Sequence, residues 1–261
     1  MPRSILFVPR RLTLLAVFAA VLVGCGLSTY EAAYEKQLKR LKHSAPFQQL
    51  FDNPTQIPDT SVTIRIPALF KDSYTLTSAD PKDKSKVIDP QRIQPPFLPL
   101  PGFKLCFEAT AAPKSGMSPA VPYYCYLAAT PGDGRTIEAD LLDKLKAAFP
   151  GTTATWELVS CDSPTEGSVG WRRIRIQADQ RFDIPAWNGP VQQKELPATF
   201  DLWHFEGPGV QILMGFRIPD VIKTDIPLCE PPETALDQLA AGTLVVGVAA
   251  APPAAAEPAK K

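Results

Sequence analysis

Two apolar runs, Phe200 to Glu206 and Val210 to Ile218, meet at Gly207-Pro208-Gly209. Glycine and proline at that position make a tight turn, so the runs fold back on each other as a β-hairpin. With the three residues as the turn, His204 faces Ile212, Leu202 faces Met214 and Phe200 faces Phe216, while Trp203 and Leu213 share the other face. Both faces are apolar. A sheet with one wet side alternates polar and apolar residues, so this pair belongs at the centre of a sheet that is covered on both sides.

Further strand segments are read at 61–68, 103–110, 123–129, 155–161 and 171–178, each rich in aromatic and β-branched residues. The clearest helix runs from Thr136, its cap, to Phe149. Ile137, Leu141, Leu145 and Ala148 form its apolar stripe, and Pro150-Gly151 stops it. A second helix is expected at 233–241. The chain carries 29 prolines in 261 residues, about twice the usual ~5 %, which argues against a helical bundle or coiled coil. The class that follows is α+β: a single domain with a mostly antiparallel sheet and helices packed on it, an α/β/α sandwich-like arrangement over residues 46–246. Five prolines between Asp89 and Pro101 make 89–101 an extended connector. The tail 247–261, almost only Ala and Pro, lacks the apolar surface to offset its ordering entropy and reads as disordered.

At the other end Arg3, Arg10 and Arg11 precede an apolar run from Leu12 to Val23. The run is shorter than the roughly 20 residues of a membrane span and reads as an export signal. Its end, Leu22-Val23-Gly24-Cys25, resembles the lipobox of bacterial lipoproteins. The resemblance implies that residues 1–24 are a signal peptide, that Cys25 is lipidated, and that the protein is tied by acyl chains to the cell envelope. Gly26, where an Asp would imply retention at the inner membrane, implies the outer membrane, facing the periplasm. Removing 1–24 takes three arginines and no acid from 27 basic and 27 acidic residues, which leaves a slightly acidic chain. Charge is therefore not the anchor, and nucleic acid, which demands a basic patch, is not an expected partner. Residues 25–45 then form a lipidated N-terminus and an amphipathic helix, with Tyr30, Tyr34, Leu38 and Leu41 on one stripe and Ser28 or Thr29 as cap. Packing of that stripe on the helix's own domain is expected; a bilayer or a partner is the other occupant.

The segment Ser61-Val62-Thr63-Ile64-Arg65-Ile66-Pro67, with Trp171-Arg172-Arg173-Ile174 and Gly215-Phe216-Arg217-Ile218-Pro219 downstream, resembles in spacing the PsbP-like α/β/α sandwiches. The resemblance implies a non-enzymatic accessory or binding module.

Four cysteines remain in the exported chain, Cys106, Cys125, Cys161 and Cys229, and disulfides are permitted there. A symmetric hairpin of 103–109 with 122–128 sets Cys106 opposite Cys125 and leaves Cys161 for Cys229; free buried thiols are the alternative. No CxxC occurs and the chain has two histidines, so no metal site and no cofactor is expected. GxSxG, HExxH and phosphate-loop motifs are absent. The candidate binding residues are Arg173, Arg175, Trp187 and His204. Arg173 and Arg175 share a strand face that could meet an anion, with Glu157 opposite Arg175 in a hairpin that also sets Trp156 on Ile176 and Leu158 on Ile174. Trp187 stands beside an Asn188-Gly189 turn. His204, with Glu206 on its face, could serve an envelope hydrolase as general base. The expected function is a lipid-anchored, non-catalytic module that binds an envelope protein or glycan; a hydrolase or a small-ligand carrier is the alternative.

Overall fold

The computed structural model describes residues 30–81, 83–114, 119–132, 137–165, 167–184, 190–231 and 235–247. The lipobox with Cys25, the caps at Ser28, Thr29 and Thr136, Trp187, and the tail 248–261 lie outside them. Two units divide between Pro46 and Phe47. The first contains helix α1, residues 30–44, in which Tyr30 is 71 % and Leu41 59 % exposed. Among the described residues no helix is long and apolar enough to cross a membrane.

The second unit is α+β. In chain order it holds β1 (Thr55–Gln56), β2 (Val62–Ile64), β3 (Asp72–Tyr74), α2 (Pro90–Ile93), β4 (Phe103–Ala111), β5 (Val121–Pro131), α3 (Ile137–Ala148), β6 (Glu157–Asp162), β7 (Ser168–Ile184), β8 (Gln192–Gly207), β9 (Val210–Pro219), α4 (Asp220–Lys223), α5 (Leu236–Gly242) and β10 (Val245–Val246). Seven strands form an antiparallel sheet in the order β3-β4-β5-β9-β8-β7-β6, and β1, β2 and β10 form a small second sheet. The strands that are apolar on both faces, β5, β9 and β8, stand at its centre. On one face α3 buries Leu141 and Leu145. The other carries α5, tied by the Trp171 indole N–H donating to Ala241 O at 3.0 Å, and α4, where Thr199 donates to Asp220 at 3.0 Å.

Three registers differ from the sequence expectation. The β8/β9 turn is the two residues Pro208-Gly209, with Gly209 at φ +72°, the left-handed position such a turn requires. The pairs therefore slip by one, and His204 faces Leu213 while Leu202 faces Gly215. In β4/β5, Phe103 does face Ala128 as the symmetric hairpin demands, but an irregularity follows at once and Leu105 faces Leu127. The bulge at Lys104 sets Cys106 opposite Tyr126 and Cys125 opposite Phe107. Because side chains alternate with period two, the two cysteines lie on opposite faces and do not bridge. All four thiols are buried and free, so Cys161 and Cys229 are not paired either. The β6/β7 ladder is shifted by two, which puts Glu157 opposite Arg173 and Leu158 opposite Arg172. Leu158, expected inside, is 83 % exposed at the sheet edge.

The proline stretch is core rather than spacer. Asp89 caps α2 by accepting from the Gln91 N–H, and Pro90 takes the first-turn position where no N–H is needed. Ile93, Leu98 and Leu100 are buried, and the Phe97 ring meets Phe149 and Phe200 edge-on at 4.8 and 5.1 Å.

Strands β7 and β8 pair over a span longer than their neighbours, and the far end of β7 is fastened by Arg217 of β9. Arg217 is 4 % exposed. It donates to Gln180 Oε1 at 2.9 Å and to Arg181 O, and lies 3.9 Å from the Phe182 ring.

Candidate functional site

Direct pairing of Arg172 with His204 in the β7/β8 ladder puts both side chains on the face that α3 covers. Glu138, in the first turn of α3, joins them. Its Oε1 lies 2.7 Å from His204 Nδ1 and its Oε2 2.5 Å from Arg172 Nη1. The Trp156 indole donates to the Glu138 backbone carbonyl at 3.2 Å, and its ring meets the imidazole edge-on at 6.1 Å. His204 is 3 % exposed, and its Nε2 is buried with no hydrogen-bond partner among the described residues. The orienting carboxylate thus comes from a helix 66 residues earlier and not from Glu206, which is exposed near the end of β8. A carboxylate on one imidazole nitrogen is the geometry of an oriented base, but this one is shared with a guanidinium.

On the opposite face, Arg175 grips Asp201, its partner across the ladder, through both oxygens: Nε lies 2.8 Å from Oδ1, and Nη2 2.6 Å from Oδ2. Nη2 also donates to Cys229 O at 3.2 Å. Asp237 of α5 completes the group; it and Asp201 are fully buried. Burial, reinforced by the Asp201 charge, pushes the Asp237 carboxyl up to about 8 and so favours its protonated form. Asp201, Cys229 and Asp237 offer three ligand atoms within 4.8 Å of one another, a donor set the sequence reading did not find. A cation there would face Arg175, whose guanidinium already occupies both oxygens of Asp201. Arg173 does not join Arg175 in an anion site. It reaches Glu157 at 3.5 Å and lies over the Trp203 ring at 5.3 Å.

A cleft of about 820 Å³ opens beside the β8/β9 turn and includes Gln56, Asp59, Lys104, Thr130, Pro208 and Val210 in its lining. The β4 bulge aims Lys104 into it, where Nζ meets Asp59 Oδ2 at 2.7 Å. Asp59 holds a left-handed backbone, φ +62°, uncommon for a residue with a side chain. Thr130 Oγ1 is buried there without a hydrogen-bond partner among the described residues. None of these residues was expected from sequence. The bulge that creates the Lys104–Asp59 contact is invisible in composition or period, whereas the Arg175–Asp201 pair is recoverable once the β7/β8 register is known.

No protein-family model matches the chain, and no curated protein is significantly similar to it.

Proposed function

We propose that the chain is a lipid-anchored, non-catalytic protein of the bacterial cell envelope, held at the outer membrane on the periplasmic side by acyl chains on Cys25, where its α+β body binds an envelope protein or glycan. The carrying observation is the ordered series Arg3, Arg10 and Arg11, the apolar run Leu12 to Val23, then Gly24-Cys25. Attachment by several acyl chains is stable because each buried CH₂ contributes ~0.8 kcal/mol. The non-catalytic part is supported by how the interior polar groups are spent: Glu138 on both His204 and Arg172, Asp201 on Arg175. The test is metabolic labelling with a fatty acid. Wild type takes up label, Cys25→Ser takes up none and stays a precursor, and continued acylation of that variant refutes the anchor.

A second reading, an envelope hydrolase, draws on the Glu138–His204 contact. Loss of an identified activity in His204→Ala, with the fold intact, is the result that would favour it.

A further inference from the structure

Tyr30, Tyr34, Leu38 and Leu41 are spaced by four, four and three, and so fall on one side of α1. They are 71, 57, 37 and 59 % exposed, and the rings of Tyr30 and Tyr34 stack at 6.5 Å. Around and behind them stand Lys36, Lys39, Arg40 and Lys42 against Glu31 and Glu35, a cationic helix in a chain whose remainder after residue 24 is acidic. Cys25 lies five residues before Tyr30. Even fully extended at ~3.5 Å per residue, that link holds the helix start within about 18 Å of the lipidated position.

We infer that α1 lies in the headgroup layer of a phospholipid membrane, with the Tyr30, Tyr34, Leu38 and Leu41 stripe turned into the lipid. The inference rests on the anchor reading above, since the acyl chains are what bring the helix to the surface. A four-residue stripe is short for an independent membrane helix. Tethering changes that, because insertion next to an existing anchor is intramolecular and proceeds at high effective concentration. Tyrosine suits the depth, with its ring in the acyl boundary and its hydroxyl among headgroups. Lysines beside the stripe keep their ammonium groups in water or on anionic lipid. The consequence is positional: the helix lies along the surface and is not a free tether.

The test uses the full, acylated protein in vesicles of equal parts phosphatidylethanolamine and phosphatidylglycerol, with a fluorescent thiol label on Leu38→Cys or, as the water-side control, Lys36→Cys. The four body thiols are buried. Quenching by a water-soluble quencher should fall several-fold for the Leu38 label on reconstitution and hardly change for the Lys36 label. Equal quenching at both positions, with acylation of Cys25 confirmed by mass spectrometry, overturns the interfacial helix and leaves the anchor standing. Shielding of the Leu38 label in a form exported from an ordinary signal peptide, with no vesicles present, also overturns it, because the body or a second copy then covers the stripe. Wild type found without acyl chains overturns both readings.

Discussion

Cys106 and Cys125 sit on adjacent strands yet on opposite faces of the central sheet, because one irregular residue, Lys104, separates the Phe103–Ala128 pair from the Leu105–Leu127 pair. The native protein should therefore resist alkylation. Burial pushes the Cys106, Cys125 and Cys229 thiols up and takes Cys161 to about 12, so thiolate is scarce at neutral pH. In denaturant without reductant all four should alkylate, as counted by mass. Two or four blocked thiols in the unfolded chain would contradict the register.

The Arg175–Asp201 pair should be the costliest ion pair to break. Arg175→Met leaves a fully buried carboxylate unpaired and should lose about 3–5 kcal/mol. Arg173→Met, which removes a partly exposed contact to Glu157, should lose about 1 kcal/mol or less. Chemical denaturation of the two variants makes the comparison, and equal losses would contradict the assignment.

Asp237 gives a stability profile with a definite sign. Its carboxyl is pushed up to about 8 in the fold from an ordinary value of 3.8. Between those values the unfolded chain releases the proton and the folded chain keeps it. The contribution is thus complete below about 4 and is lost as pH rises toward 8, at up to ~1.4 kcal/mol per pH unit. The groups facing Asp237 include Asp201, Arg175, Arg173, Cys161 and Cys229. Asp237→Asn should flatten the slope over that range, as followed by denaturant midpoints; an unchanged slope would show that the proton resides elsewhere.

His204→Gln should lower stability by about 1–3 kcal/mol through loss of the buried contact to Glu138, which is left on Arg172 alone, without removing the envelope phenotype at matched expression. Export of the same domain from an ordinary signal peptide should remove that phenotype with folding unchanged. Full rescue by the soluble form would return attention to His204.

The legible part of the fold was the part with strong period. Strands β4, β5, β6 and β9 and helix α3 announce themselves through aromatic and β-branched runs and through Leu141 and Leu145, whereas β7 and β8 do so only over 171–178 and 200–206, because their paired far ends, 179–184 and 192–197, are mostly polar. β3, a three-residue edge strand with Asp72 and Ser73 exposed, has no pattern to read, and β1 and β10 are two residues each. Registers failed at particular residues, the two-residue turn at Pro208-Gly209 and the bulge at Lys104, because single-residue slips leave hydrophobic pattern unchanged. The site failed for another reason. His204 was found by its rarity, but its partner Glu138 comes from a distant helix, and only tertiary packing decides that. Arg175 reads in sequence as a contact for an external anion, and its anion is the internal Asp201 carboxylate.

Arg217 secures the overhanging end of β7 with two neutral acceptors, Gln180 Oε1 and Arg181 O, and the face of Phe182. None of these three gains or loses a proton between acid and alkaline conditions. The α5 side of the sheet closes instead over the Asp237 carboxyl, which burial beside Asp201 pushes up, so of these two fastenings only the α5 one is tied to a proton.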